Sequence, residues 1–234
     1  MGPGSEISII IPVLNEASII NRTIDGILDL PFGGKVEVIV VDGSPHAETL
    51  NSIERQGIKK VVSQAGRSYQ MNVGALDADG EILLFLHADT ELPRDALEII
   101  SSVMRKGEFV GGAFDLGIES EKPVFRLIEM AASIRSRVTR IPYGDQAIFV
   151  RREYFRAIGG FSEVPLMEDV EFMRRIKWAG DKIYIIPKKV KTSARRWEKE
   201  GVFCCTLRNW ALITLYSAGV PPARLAAFYK WDAK

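Results

Sequence analysis

Apolar residues in the first third of the chain come in short runs that stop at polar or turn-forming residues. Residues 7–11 are a β-branched run ending at Pro12, and 36–41 are a second, closed by Asp42-Gly43-Ser44-Pro45. Residues 58–62 form a third, and 82–86 a fourth that ends abruptly in His87-Ala88-Asp89. Such runs are too short for free-standing helices and fit strands buried on both faces. Between them, Ala17, Ile20, Ile24, Ile27 and Leu28 recur at helical spacing behind Asn15 as a cap. Further helices are expected from near Ala47 and over 69–78. Strand and helix alternating in this way predict βαβ units and a mainly parallel sheet.

The order then changes. Leu97, Ile100 and Met104 mark a helix after Pro93, followed by an expected strand over 109–116 and a helix over 124–138. A strand over 147–150, a helix over 168–178 and a last short strand over 182–186, before Pro187, complete a mixed sheet that extends the first half. No linker or repeat divides the two. The last segment differs: Phe203, Leu207, Trp210 and Thr214 make one stripe, while Leu212, Ile213, Leu215 and Tyr216 cover the other faces. A helix apolar most of the way round must be covered. The domain itself is the first expected cover, with a homodimer partner or a membrane surface as alternatives. Pro221-Pro222 ends that helix, and 223–229 can form a short second one.

Composition narrows the field without choosing within it. The 234 residues are 47% hydrophobic and 26% charged with a net charge of +1, which gives no overall reason to expect nucleic acid. Cys204 and Cys205 are adjacent, have no third cysteine to pair with, and read as packed thiols of a reducing, cytoplasmic compartment. No apolar run approaches 18 residues, no signal peptide precedes the first strand, and residues 1–5 read as a cloning scar.

Candidate chemistry gathers where open α/β sheets place ligands, beyond the carboxyl ends of the strands. Asn15 and Glu16, Asp42 and Ser44, Gly66 and Arg67, and His87 and Asp89 all fall there. Each alone is ordinary turn chemistry; four in succession on one rim are a pattern. In an extended chain residues 87 and 89 point the same way, so an imidazole and a carboxylate would face one ligand. Glu168-Asp169 opens a helix, where acids are favoured by roughly 0.3–1 kcal/mol and where a carboxylate beside a cleft is placed as a general base. Gly144-Asp145-Gln146 and Gly159-Gly160-Phe161 read as turns near a ligand. Arg195-Arg196-Trp197 ends a basic run and offers guanidiniums for a diphosphate and an indole face for a sugar or base. Neither a G-x-G-x-x-G nor a Walker loop follows the first strand, which disfavours dinucleotide and P-loop functions.

These motifs resemble the family 2 glycosyltransferases, with their GT-A nucleotide-diphospho-sugar transferase fold. The resemblance runs from residues 7–16 through Val40-Val41-Asp42-Gly43-Ser44, Met71-Asn72-Val73-Gly74 (methionine where the family has arginine), His87-Ala88-Asp89 and Met167-Glu168-Asp169. More narrowly, residues 67–72, 86–90 and 194–197 are similar to a branch labelled radical-SAM/selenodomain-associated transferases. The resemblance implies an α/β GT-A domain over 6–200, its nucleotide-binding half in 6–92 and its acceptor half in 93–200, with 201–234 as a helical segment. It implies a nucleotide-diphosphate sugar donor, UDP-linked, held by Pro12, Asn15, Glu16, Asp42, Ser44, Arg67, Asn72, His87, Ala88, Asp89, Arg195 and Arg196. Asp169 and Glu168 are the implied catalytic carboxylates, and Gly144, Asp145, Gln146, Gly160, Phe161 and Trp197 the acceptor side.

His87 stands where the family carries the first acid of Asp-x-Asp, so the implied divalent metal would rest on Asp89 and His87. Mn²⁺ tolerates imidazole better than Mg²⁺ does. The acceptor is unspecified, with a lipid-linked one hinted at by the apolar segment and the basic run before it, and with it a peripheral place at the membrane. Two other readings stay open at this point. One is a degenerate, non-catalytic GT-A domain binding a nucleotide-sugar or a protein. The other is a sugar-phosphate nucleotidyltransferase, whose glycine-rich basic loop after the first strand is missing here.

Overall fold

A computed structural model describes residues 7–228. The expected scar at 1–5, residue 6 and the end of the C-terminal segment from 229 lie outside those residues. The first strand, β1 (Ile7–Val13), is buried along nearly its whole length. Its alternate side chains serve opposite faces: Ile7, Ile9 and Ile11 join one apolar cluster and Ile10 another. That two-sided burial is what the isoleucine-rich run encodes, each such apolar side chain contributing on the order of 1.5–3 kcal/mol.

Helix α1 (Ile20–Leu28) buries Ile20, Ile24 and Ile27 on the first face. It starts later than expected. Asn15 is no cap: it adopts a left-handed conformation at the end of β1, with φ 59°, and Ile19 precedes the helix. Strands β2 (Val36–Asp42) and β3 (Lys59–Val62) flank the short helix α2 (Glu48–Asn51). Helix α3 (Arg67–Asp77) and strand β4 (Ile82–Phe85) complete the parallel half. Then come β5 (Thr90–Glu91), α4 (Ala96–Arg105), β6 (Gly111–Glu119) and α5 (Pro123–Thr139). After a 3₁₀ turn at Gly144–Gln146 follow β7 (Phe149–Arg151), α6 (Arg152–Ala157), α7 (Glu168–Trp178), β8 (Ile183–Ser193), α8 (Arg195–Glu200), α9 (Val202–Ser217) and α10 (Pro222–Ala226).

Among the described residues the strands form one eight-stranded sheet in the order β3-β2-β1-β4-β7-β6-β8-β5. β1 lies parallel between β2 and β4, and β7 runs antiparallel between β4 and β6. The first four strands are thus the expected parallel unit, and β7 is the reversal that extends it into a mixed sheet. Side chains of α1 and α4 cover one face, those of α3, α6 and α7 the other.

Further expectations need correction. β8 does not stop at Pro187; it continues to Ser193, because the register against β6 shifts after the Phe114–Ile186 pair and resumes with Asp115 opposite Lys189. Proline sits in that irregularity, where no ladder donor is needed. Residues 87–90 are a turn closed by the Thr90 amide donating to the His87 carbonyl at 3.1 Å, so His87 and Asp89 do not share a side through strand alternation. The domain also leaves much of α9 uncovered: Cys205 and Leu212 are buried, while Phe203, Leu207 and Trp210 are exposed. Cys204, expected to pack, is exposed.

Candidate active site

Beyond the carboxyl ends of β1 and β4 the described residues enclose a cleft of about 560 Å³. One wall is the strand side. Residues 12–16 are the end of β1 and the turn after it, and the His87–Asp89 turn follows β4; all line the cleft. Gln70, one turn into α3, fixes the framework behind them. Its amide donates to the carbonyls of Val13 and Val41 at 2.6 and 2.8 Å, tying the ends of β1 and β2 together.

The opposite wall is made of turns and helix starts. Met167 takes a left-handed conformation (φ 66°), unusual for so bulky a residue, and delivers Glu168 and Asp169 as the first turn of α7. The dipole of α7 is complemented at both ends, with Glu168, Asp169 and Glu171 in its first turn and Arg175 and Lys177 in its last. Its inner face is pinned by Phe172, which packs on Phe161 at 4.8 Å and Phe155 at 5.4 Å between ring centroids. Phe85 at the end of β4 joins the same aromatic cluster, so the two walls share one rigid support.

Where the walls meet, the Gly144 amide donates to Asp169 Oδ2 at 2.5 Å, and the Val170 amide to Oδ1 at 2.7 Å. A methyl group at position 144 would lie 3.2 Å from His87 Nε2 and 3.3 Å from Asp169 Oδ2, so glycine lets the imidazole and the carboxylate close on the same point. Burial, reinforced by Arg67 and Arg196, holds the His87 imidazole well below its usual range, hence neutral. Glu168 is buried and faces Arg67, with Nη1 at 3.4 Å from Oε1. Burial raises its pKa and the Asp169 charge adds to that rise, while Arg67 opposes it.

Asp145 is pushed up to about 6, by burial first and then by the charges of Asp169 and Asp89 against Arg135 and Arg67. Its Oδ1 has no hydrogen-bond partner among the described residues. Glu16 is also raised, by burial, against the pull of Arg195, whose Nη2 lies 3.4 Å from Oε1. Acids and guanidiniums are therefore interleaved, as a site that binds phosphate and handles a proton requires.

Of the residues singled out from sequence, Pro12, Asn15, Glu16, Arg67, His87, Ala88, Asp89, Gly144, Asp145, Glu168, Asp169, Arg195, Arg196 and Trp197 all line this cleft. Six do not. Asp42 is fully buried, accepting from the Ser44 and Thr49 amides at 2.8 and 3.1 Å, and Ser44 is buried beside it. Asn72 clamps the Phe161 backbone in both directions, at 2.8 and 2.9 Å, next to Gly160. Phe161 lies in the aromatic cluster. Gln146 is buried, bridging Arg135 Nη2 and the Phe114 carbonyl at 2.9 and 2.8 Å.

The cleft also uses residues that sequence patterns did not flag: Gln70, Tyr143, Met167, Thr192, Asn209 and Leu212. Tyr143 carries Arg135 over its ring at 3.1 Å. An aromatic directly before Gly144 was the available signal for it. Thr192 and Asn209 had none, because β8 was expected to have ended and α9 was expected to be packing.

As for a metal, no group of three or more His, Cys, Asp or Glu side chains among the described residues is arranged to hold an ion. Asp89 and the neutral imidazole of His87 both reach the cleft, so the chain supplies two donors of suitable chemistry, and a ligand would have to supply the rest.

The model of the glycosyl transferase family 2 matches residues 8–162. Among solved structures, Staphylococcus aureus TarS residues 1–349 in complex with UDP-GlcNAc superposes with a TM-score of 0.65 at 18% identity, over 80% of this chain and 58% of that one. The mannosyltransferase PcManGT from Pyrobaculum calidifontis, in complex with GDP-Man and Mn²⁺, gives 0.61 at 22% identity, over 82% and 57%. At these identities the likeness is one of fold, and the chain spans less than three fifths of either structure. No curated protein matches it.

Proposed function

The chain belongs to glycosyl transferase family 2, and on that premise we propose that it moves a sugar from a nucleotide-diphosphate sugar to an acceptor hydroxyl. The observation that carries this reading is the Asp169 carboxylate, held by the Gly144 amide at 2.5 Å and facing the His87–Asp89 turn across the cleft. In the reaction, the acceptor oxygen bonds to the anomeric carbon as the carbon–oxygen bond to the diphosphate breaks. Asp169 takes the acceptor's proton. Attack and departure on opposite faces invert the anomeric centre. Glu168, buried against Arg67, is a positioning group.

Residues 6–92 serve the donor, a UDP-sugar in this reading. Arg67, Arg195 and Arg196 meet the diphosphate, whose charge grows as it leaves. A divalent ion held by Asp89 and His87 together with phosphate oxygens would neutralise part of that charge. Asp145 and Trp197 face the acceptor, which in this reading is lipid-linked.

The test is Asp169→Asn. Removing a positioned base lowers turnover by ~10²–10⁴-fold. Nucleotide release is the readout, with a panel of nucleotide-sugars as donors, with and without Mn²⁺. Donor binding survives, seen as thermal stabilisation of ~2.7 kcal/mol at about 100 times the dissociation constant. Intact turnover removes Asp169 from the mechanism, and no stabilisation by any nucleotide leaves a binding module of another kind.

A further inference from the structure

Helix α9 has one side in the cleft, through Asn209, Leu212 and Ile213, and the other in solvent. On the solvent side Phe203, Leu207 and Trp210, spaced by four and three residues, are 83%, 70% and 64% exposed. A second stripe lies on α5, where Leu127, Met130, Ile134 and Val138 are all exposed at helical spacing. Contiguous apolar surface of this kind marks a contact rather than a solvated face.

The two helices run between the same two places. At one end Phe125 of α5 packs edge-on against Trp197, and Val124 and Val202 adjoin the same cluster. At the other, Lys177 of α7 donates to the Thr139 carbonyl at 3.0 Å, and Arg174, one turn earlier, to Ser217 Oγ at 2.7 Å. The two stripes therefore belong to neighbouring elements.

Charge decides what covers them. Residues 188–217 hold seven basic residues against two acids, and 122–140 five against one; Lys188, Arg137 and Arg195 pair with Asp95, Asp115 and Glu16, and with those acids counted the region still carries an excess of six positive charges, although the whole chain is only +1. A symmetric contact between two copies would press this positive region against itself. A bilayer rich in anionic headgroups meets both of its properties, drawing the lysines and arginines while the aromatic and aliphatic side chains enter the headgroup–acyl boundary. No helix among the described residues is long and apolar enough to cross a membrane, so the contact is in the plane of the surface.

From this juxtaposition we infer that the α9 face of Phe203, Leu207 and Trp210, with the α5 stripe beside it, docks on an anionic lipid surface. Because α9 is also a wall of the cleft, docking brings the cleft to an acceptor carried on lipid. That consequence rests on the glycosyl-transfer reading; the docking does not.

The experiment is co-sedimentation of the full chain with vesicles of phosphatidylcholine alone or mixed 1:1 with phosphatidylglycerol. The protein is expected to pellet with the anionic vesicles, to stay in solution with the neutral ones, and to bind more weakly as salt rises. The triple variant Phe203→Ser, Leu207→Ser, Trp210→Ser is expected to lose vesicle binding about tenfold or more. Its melting temperature and any stabilisation by nucleotide should be unchanged. Full solubility of the unaltered protein with anionic vesicles overturns the inference, as does unchanged vesicle binding by the variant. A concentration-dependent dimer that the variant dissociates overturns it in favour of a second copy. Loss of nucleotide stabilisation in the unaltered protein would instead count against glycosyl transfer, and would leave the vesicle result standing.

Discussion

The two walls of the cleft are built by different means. The strand wall, residues 12–16 and 87–89, hangs from β1 and β4, whose side chains are buried on both faces of the sheet. The helix wall, Gly144–Asp145 and Glu168–Asp169 with α8 and α9, depends on contacts between distant parts of the chain. Gly144 and Asp169 are 25 residues apart, and Arg67 and Glu168 are 101 apart. The first wall is a by-product of hydrophobic burial. The second is assembled from hydrogen bonds, ion pairs and a bulky residue held left-handed, each worth little alone and expensive to leave unmet. The proton chemistry proposed for Asp169 stands on the wall that is easier to perturb without unfolding the sheet.

The largest effect should come from breaking the sheet beneath the second wall. Gly112 of β6 is paired with both Phe149 and Tyr184. A methyl group there would come within 2.1 Å of the Tyr184 carbonyl oxygen and 2.6 Å of Phe149 Cζ. Backbone cannot yield as a flexible side chain can, so Gly112→Ala should cost about 4 kcal/mol or more. Denaturant unfolding measures it, and a loss below about 1 kcal/mol would show that the mixed half of the sheet is looser than its register implies.

That contrast also explains what could be read in advance. The parallel half was legible because each strand there is a local fact: an apolar run, a polar stop and a turn. Residues 168–178 were legible for the same reason, with acids at the start and apolar Phe172, Met173 and Ile176 on one side. The His87–Asp89 turn was found at the right place for the wrong reason, since strand alternation does not hold past Phe85. The continuation of β8 through Pro187 was hidden, because proline ordinarily ends a strand and only the shifted pairing with β6 accommodates it. Gln146 and Phe161 looked like ligand contacts from their turns, and Asn72 from the motif it shares with the family. The structure gives their polar or aromatic groups partners within the protein, which a linear motif cannot reveal.

A smaller effect separates the walls without touching the sheet. In Arg67→Met the buried Glu168 loses the cation that faces it at 3.4 Å. An unmatched buried acid costs about 1–3 kcal/mol while it is charged. Its pKa, already raised by burial, would rise further, and a raised carboxyl pKa gives stability that is present at low pH and lost as pH climbs through the folded-state value. The variant should therefore lose most at pH 8 and least near pH 4. Equal loss at both would mean that Arg67 acts through packing alone.

The smallest predicted effect concerns Asp145, whose carboxyl reaches the cleft with one oxygen unpartnered and a pKa of about 6. Burial disfavours its charged form in the folded protein, whereas the unfolded chain ionises at the ordinary carboxylate value. Its contribution to stability is thus complete below about pH 4 and is lost as pH rises through 6. Asp145→Asn removes that dependence, so relative to the unaltered protein it should gain on the order of 1–2 kcal/mol at pH 7.5 and nothing at pH 4. If this carboxyl also accepts an acceptor hydroxyl, the same variant should weaken acceptor KM and leave donor binding alone, placing the stability penalty in the helix wall, where that binding occurs. A variant that gains stability with unchanged KM would make Asp145 a buried charge of the helix wall that touches no acceptor.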